Sequence, residues 1–547
     1  MVFCGKPSGS CHACRERKTK CDQIPEGCTQ CKRAKRSCPG YRKQGDLIFR
    51  NESSNVIRKF KAKEARQKQA VSIRTKASAS PTSDEDTNAE EASLEVVQQQ
   101  DTQLDAFSLL APSIEDRATG FFVANYVLGM NGPSRGHLDY IGEISRIQVL
   151  DEGLVCSMKA VGLAGFAHAE HAPSLMKNAR YQYMLALNAT NAALRDPVEV
   201  KKDTTLLAII ILGIFETITG CTKRSLQDWA QHVNGAAAVI KLRGPDQVKT
   251  PQGRRMLIQV TSSLMVNCLQ RGVPLPQHIQ EFMTAAIKEV EKPDAAFVIN
   301  DIMMHFTTLR ASVLSGKLTN PREILRRCLE LDGKLLDIVV NVPEGWEYQT
   351  IITDVDSDVA FNGRYHVYYD YWIGMIWNAL RSLRILINEL IRELLLRGFA
   401  RQPPIFNSTE YTAQFQISTD VMYQHQEEIL LSVAQHFNQF PPPRDPSSYK
   451  EMTSMPILAY NEMHAPIRMS GGSFLIWPLW HVGVLDITTE EVRQFVVKNL
   501  RAIGHTMGIQ QANVLAEVVD ARSDIEVWKE GDPPHSSPDY AFDIKFD

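Results

Sequence analysis

From about Leu104 onward, apolar residues recur at three- and four-residue intervals, the spacing that lines one face of a helix. The clearest case is 225–243. There Leu226, Trp229, Val233, Ala236, Ala237 and Ile240 form one stripe, with Ser225 placed to start the helix and Gly244-Pro245 to stop it. A second helix is predicted over 204–220, with Asp203 as its N-cap. A third, 251–271, opens with Pro251 and ends before Gly272. Residues 365–397 make a long, very apolar run that reads as a central buried helix. Pro403-Pro404 and Pro441 to Pro443 mark loops. Period-two alternation is scarce, so 104–547 is expected to be a large all-α domain of a dozen or more helices.

The helical pattern fails over the first hundred residues. Residues 1–10 read as a loose leader with no apolar core segment, which argues against a secretory signal. A cysteine-rich module, 11–38, follows and ends at the turn signal Pro39-Gly40. Residues 39–76 form a basic linker that is a candidate for a short dimerisation helix. Val56, Phe60 and Lys63 have heptad-like spacing there, but over a single heptad. Residues 77–103 are small, polar and acidic, without Lys or Arg. They bury too little apolar surface to offset their ordering entropy and are expected to be a disordered linker.

Composition sharpens the division. The chain has 547 residues, 44% of them hydrophobic, enough for a sizeable core. The most apolar run, Leu206 to Ile214, is too short to span a bilayer, so no membrane partner is expected. The net charge of -3 conceals 20 Lys/Arg against 6 Asp/Glu in residues 1–76, which leaves the rest strongly acidic. A basic head on an acidic body suggests that the head meets a polyanion.

Seven of the 11 cysteines fall within the first 38 residues. Six of them read Cys11-x2-Cys14-x6-Cys21 and Cys28-x2-Cys31-x6-Cys38, one triplet repeated at an offset of 17. A disulfide framework and a metal site compete, and the lack of a secretory signal favours metal. Zinc prefers tetrahedral thiolate coordination, and two four-ligand sites would require eight cysteines. With six, either two thiolates bridge both metals, or one site is mononuclear and two thiols stand idle. The second arrangement leaves the repeat unexplained. Cys4 has no matching partner and reads as a free thiol. Between the cysteines of each triplet lies a six-residue stretch with four basic residues: Arg15, Arg17, Lys18 and Lys20, then Lys32, Arg33, Lys35 and Arg36. Solvated charge is the bland account of such stretches. Basic residues pinned by metal bonds are the footprint of a nucleic-acid binder.

The module resembles the fungal binuclear zinc cluster, the DNA-binding domain of a family of fungal transcription regulators. All six cysteines match, as does the loop Asp22 to Gly27 with Pro25. The resemblance implies two structural Zn2+ ions, one held by Cys11, Cys14, Cys21 and Cys28, the other by Cys11, Cys28, Cys31 and Cys38. It also implies that the first basic stretch enters the major groove of double-stranded DNA and reads a CGG triplet. Lys18 aligns with the base-contacting lysine, with Arg17 beside it. Arg15, Lys20, Lys32, Arg33, Lys35 and Arg36 would hold phosphates. Glu16 departs from the usual basic or apolar choice. The stretch Trp229 to Gly244, and more loosely Phe474 to Trp480, resemble the helical regulatory domain that follows the cluster in such proteins.

The resemblance implies a nuclear regulator of RNA polymerase II transcription, activators being common in the family. It would contact co-regulators, pair in some cases as a homodimer, and serve a metabolic or secondary-metabolite gene set. A zinc-clamped interaction scaffold that never reads DNA is the alternative. An enzyme is not expected: no phosphate loop, GxSxG elbow, HExxH or paired-carboxylate motif stands out. His168 and His171 could share a helix face with Glu170 between them, but two histidines alone make no zinc site. His232 with Trp229 reads as core packing. Tyr368, Tyr369, Tyr371 and Trp372 read as a buried aromatic stripe, with a ligand pocket as the rival reading.

Overall fold

A computed structural model describes residues 112–128, 133, 136–291, 293–445 and 469–523. Within the cysteine module it describes residues 11, 13, 14, 17, 19, 21, 22, 24, 28–35 and 38. The linkers 39–76 and 77–103 and the thiol of Cys4 lie outside the described residues. The chain divides into two units, Met1–Ala111 and Pro112–Asp547.

The first unit contains a short helix, α1 (Thr29–Arg33), capped by Cys28. The second contains sixteen helices among its described residues. They are α2 (Ile114–Tyr126), α3 (Ile141–Ile147), α4 (Glu152–Ala169), α5 (Pro173–Ala193), α6 (Asp203–Thr219), α7 (Lys223–Arg243), α8 (Pro251–Arg271) and α9 (Gln277–Lys288), then α10 (Ala295–Leu314), α11 (Pro321–Val340), α12 (Tyr371–Ala400), α13 (Thr409–Leu431), α14 (Val433–Phe437), α15 (Met469–Val484), α16 (Glu490–Thr506) and α17 (Gln510–Asp520). One core joins α2–α9 to α13–α17, and a second gathers around α10, α11 and α12.

Local signals decide most boundaries. Pro251 does open α8, where the Thr250 hydroxyl accepts from the Gly253 N–H at 3.1 Å, and Gly272 ends it at φ 63°. Gly244 ends α7 at φ 75°. The start of α7 differs from expectation. It lies at Lys223, and the Ser225 hydroxyl donates to the Thr222 carbonyl at 2.5 Å instead of capping the helix. Asp203 is likewise no N-cap. It is the first residue of α6, and its carboxylate accepts from Arg243 at 2.5 Å.

The all-α expectation is corrected by one antiparallel hairpin, β1 (Gln349–Ile352) and β2 (Arg364–Val367), in register from Gln349 with Val367 to Ile352 with Arg364. It claims the start of the run 365–397, so the helix begins only at Tyr371, where the Asp370 carboxylate accepts from the Ile373 N–H at 2.7 Å. Residues 353–363 connect the two strands, and just before β2 Asn362-Gly363 makes a tight turn, both at positive φ (52° and 68°), across which Phe361 bridges Arg364.

α2 and α4 approach each other closely. A Cβ on Gly162 would fall 1.9 Å from the Ala118 carbonyl oxygen, on backbone that cannot swing aside. Gly162→Ala is therefore expected to destabilise the helical unit by at least about 1–3 kcal/mol. Gly120→Ala, at an exposed position on α2 with open space around it, should be neutral or stabilise by about 0.5–1 kcal/mol. Urea denaturation of the two variants checks the contrast.

Candidate metal centre and nucleic-acid interface

Cys11, Cys14, Cys28 and Cys31 are at most 3% exposed, although only Ala13 and the remaining cysteines pack around them. Among the described residues no apolar core accounts for that burial. The Cys11 and Cys28 sulfurs are 3.6 Å apart, Cys14 and Cys28 3.6 Å, and Cys11 and Cys31 3.8 Å. A disulfide requires about 2.05 Å, so these are not disulfides. Four sulfurs about 2.3 Å from a tetrahedral zinc lie about 3.8 Å from one another, which the observed spacings match.

The sulfurs form two sets, each within 4.8 Å throughout: Cys11, Cys14, Cys21, Cys28, and Cys11, Cys28, Cys31, Cys38. Each set can hold a metal ion, and Cys11 and Cys28 stand in both. Burial pushes the Cys11 thiol up to about 12 and raises Cys28 as well, whereas the Thr19 hydrogen bond leads the lowering of Cys14.

Backbone geometry turns the sulfurs inward. The Cys31 N–H donates to the Cys28 sulfur at 3.4 Å, and the Cys11 N–H to the Cys21 sulfur at 3.4 Å. Asp22 ties the loop between the triplets to α1. Its carboxylate accepts from the Thr29 N–H at 3.1 Å and from the Thr29 hydroxyl, which holds it below the ordinary carboxylate range. The sequence reading passed over Asp22 as a loop residue. The available signal was an Asp directly after Cys21 and a hydroxyl residue directly after Cys28.

Of the basic residues singled out, Arg17, Lys32, Arg33 and Lys35 are all exposed, and none forms an ion pair among the described residues. Arg17 sits on the turn after Cys14, Lys32 and Arg33 on the last turn of α1, and Lys35 just beyond it at φ 48°. Arg15, Lys18, Lys20 and Arg36 lie outside the described residues.

In the helical unit, residues 156–270 match the family model of the fungal specific transcription factor domain. The match runs from within α4 to the end of α8 and includes Trp229 to Gly244, whereas Phe474 to Trp480 lies beyond it on α15. No curated protein and no solved structure matches the chain. The domain supports a transcription regulator of fungal type and points to a non-enzymatic one. No helix among the described residues is long and apolar enough to cross a membrane.

Other candidates fall out differently. His168 lies in the last turn of α4 and His171 lies past its end at φ 48°, so the two do not share a helix face. His232 is buried as expected, but it also holds a hydrogen bond to the Tyr183 hydroxyl at 3.1 Å, and that hydroxyl donates to Glu216. The aromatic run divides. Tyr368 is fully buried, whereas Trp372 lines a large cavity.

The sequence reading also missed the cationic face of α12. Arg381, fully buried, donates to Tyr368 at 2.6 Å and Glu428 at 3.0 Å and lies 5.1 Å from the Tyr348 ring centroid. Arg384 grips Asp332 through two bonds of 2.8 and 2.9 Å. Burial alone would raise the Glu428 carboxyl, but the His425 hydrogen bond and the Arg381 charge hold it well below its usual range.

Burial holds His137, His436 and His481 down to about 4 and His366 to about 3, so all four stay neutral in the fold. Unfolded histidine takes its proton near pH 6.5, so stability is full above that pH and declines below it. Each such histidine costs up to about 1.4 kcal/mol per pH unit until its folded value is reached. Asp228 and Glu389, both raised by burial, work in the opposite sense. Thermal unfolding followed by circular dichroism should show the melting temperature falling from pH 6.5 to 4.5.

Proposed function

We propose that the protein is a nuclear, sequence-specific regulator of RNA polymerase II transcription whose cysteine module holds two structural Zn2+ ions and reads DNA. One ion is held by Cys11, Cys14, Cys21 and Cys28 and the other by Cys11, Cys28, Cys31 and Cys38. No ligand position is left open for catalysis. The observation that carries the reading is the pair of overlapping sulfur sets sharing Cys11 and Cys28. The fungal transcription factor domain at 156–270 supports it independently.

On this reading, the basic stretch between Cys14 and Cys21, with Arg15, Arg17, Lys18 and Lys20, enters the major groove. Lys18 donates to guanine O6 and N7 within a CGG triplet, the commonest kind of specific base contact. Lys32, Arg33, Lys35 and Arg36 hold phosphates and set register. The exposure of Lys32, Arg33 and Lys35 at the end of α1 suits that role. The helical unit supplies regulation and contacts to co-regulators.

Native mass spectrometry tests the metal arrangement. The wild-type chain should carry two zinc ions. Cys38→Ser, which removes a ligand from one set, should retain one ion, and Cys28→Ser, which removes a ligand from both, should bind neither firmly. One ion in the wild type would favour a mononuclear site.

Titrations against variant duplexes test the DNA contacts. Lys18→Ala should cost about 1–3 kcal/mol and relax preference at one base position. Lys35→Ala should weaken binding evenly across sequences and reduce the salt slope by about 1. Neither Lys nor Ala is favoured at the positive φ of residue 35, so that change leaves the backbone demand as it was.

A further inference from the structure

A cavity of about 1260 Å³ in the helical unit is a long trough that nothing above assigns. One face of α12 lines it from Trp372 through Met375, Leu386 and Glu389 to Leu396. At about 1.5 Å per residue, those limits are roughly 36 Å apart. A face of α8 and much of α15 form the facing walls. Phe474 of α15 lies 5.4 Å from Trp372 and 5.2 Å from His137 at one end, and Asp486 accepts from Arg392 at 3.1 Å at the other.

The two ends differ in chemistry. The first is aromatic and the second is charged. The guanidiniums at the charged end are occupied: Arg392 holds Asp486, and Arg310 donates to the Leu269 carbonyl at 2.7 Å. Glu389 is different. It lines the trough, and among the described residues no hydrogen bond or ion pair reaches its carboxyl. Burial pushes that carboxyl up to about 7, with Arg310 and Arg392 pulling it down and Asp486 and Glu393 pushing it up. Glu389 is half-buried on the trough wall, and a carboxylate held there without a partner favours a cationic ligand that meets it.

We propose that the trough is a binding site for an elongated, largely apolar molecule carrying one basic nitrogen, with the body along α12 and α15 and the ammonium on the Glu389 carboxylate. Most of the wall is hydrophobic or aromatic, which suits the body, and a cation answers the unmatched carboxyl. Tryptophan faces on the wall add attraction for a cation passing them. The site does not rest on the DNA-reading proposal, and its test uses no DNA.

Isothermal titration of the zinc-loaded full chain with dodecylamine, 1-dodecanol and dodecanoate, each below its micelle concentration, tests the assignment. Dodecylamine should bind at least tenfold more tightly than the alcohol or the acid. Glu389→Gln, which keeps the side-chain shape, should bring the amine to the level of the alcohol while leaving helical content unchanged. Equal binding of all three probes by the wild type, preference for dodecanoate, full amine affinity in Glu389→Gln, or no binding of any probe would each overturn the proposal.

Discussion

The sulfurs of Cys11 and Cys28, 3.6 Å apart and common to both ligand sets, are the fixed point from which the rest of the cysteine module is placed. Cys28 caps α1, so the helix carrying Lys32 and Arg33 starts from a sulfur of the cluster. Cys14 lies one residue from Ala13, whose carbonyl accepts from the Arg17 N–H at 3.4 Å, so the other basic turn is anchored to the same cluster. Among the described residues of the module little apolar packing is present, so on the proposed reading metal would supply most of what holds these turns. Structural metal typically contributes about 10–16 kcal/mol to folding such small modules, far more than their hydrophobic burial.

The helical unit answers the same problem of order by different means, and α12 shows how. Leu380, Leu383, Ile387, Leu390 and Leu394 lie in the second apolar core. Arg381, Arg384 and Asn388, spaced three and four apart, meet Glu428, Asp332 and His425 on neighbouring helices. Trp372, Met375, Ala379, Ser382, Leu386 and Glu389 face the trough. One helix thus carries a packing face, an ion-pairing face and a cavity-lining face. The buried charges fix which helices adjoin α12, and removing one partner of such a pair typically costs about 3–5 kcal/mol.

Legibility in the sequence follows the range of the interaction concerned. The bounds of α8 and the end of α7 were readable because Pro251, Gly244 and Gly272 act on their own backbone. The gathering of the six cysteines was readable because they lie within 28 residues of one another and repeat. Asp203 was misplaced because its carboxylate answers Arg243, 40 residues away, and no local rule foresees that. The hairpin was missed because β2 runs into an apolar stretch that reads equally well as helix, and its partner β1 lies across the connection 353–363. The three faces of α12 were hidden for a related reason: an apolar stretch shows that a helix is buried, while its neighbours decide what each side is buried against. His168 and His171 show the converse, since spacing alone suggested a shared face that the chain does not form past Ala169.

Zinc-dependent reading of DNA is the central claim, and selection from a pool of random duplexes tests it most directly. The zinc-loaded full chain is incubated with the pool at physiological salt, and the bound fraction is sequenced over successive rounds. Duplexes containing CGG triplets should be enriched, and the enrichment should be abolished when the metal is removed by a chelator. Bound duplexes with no sequence in common, or enrichment that survives chelation, would contradict that claim and leave the cysteine cluster as a clamp for protein contacts.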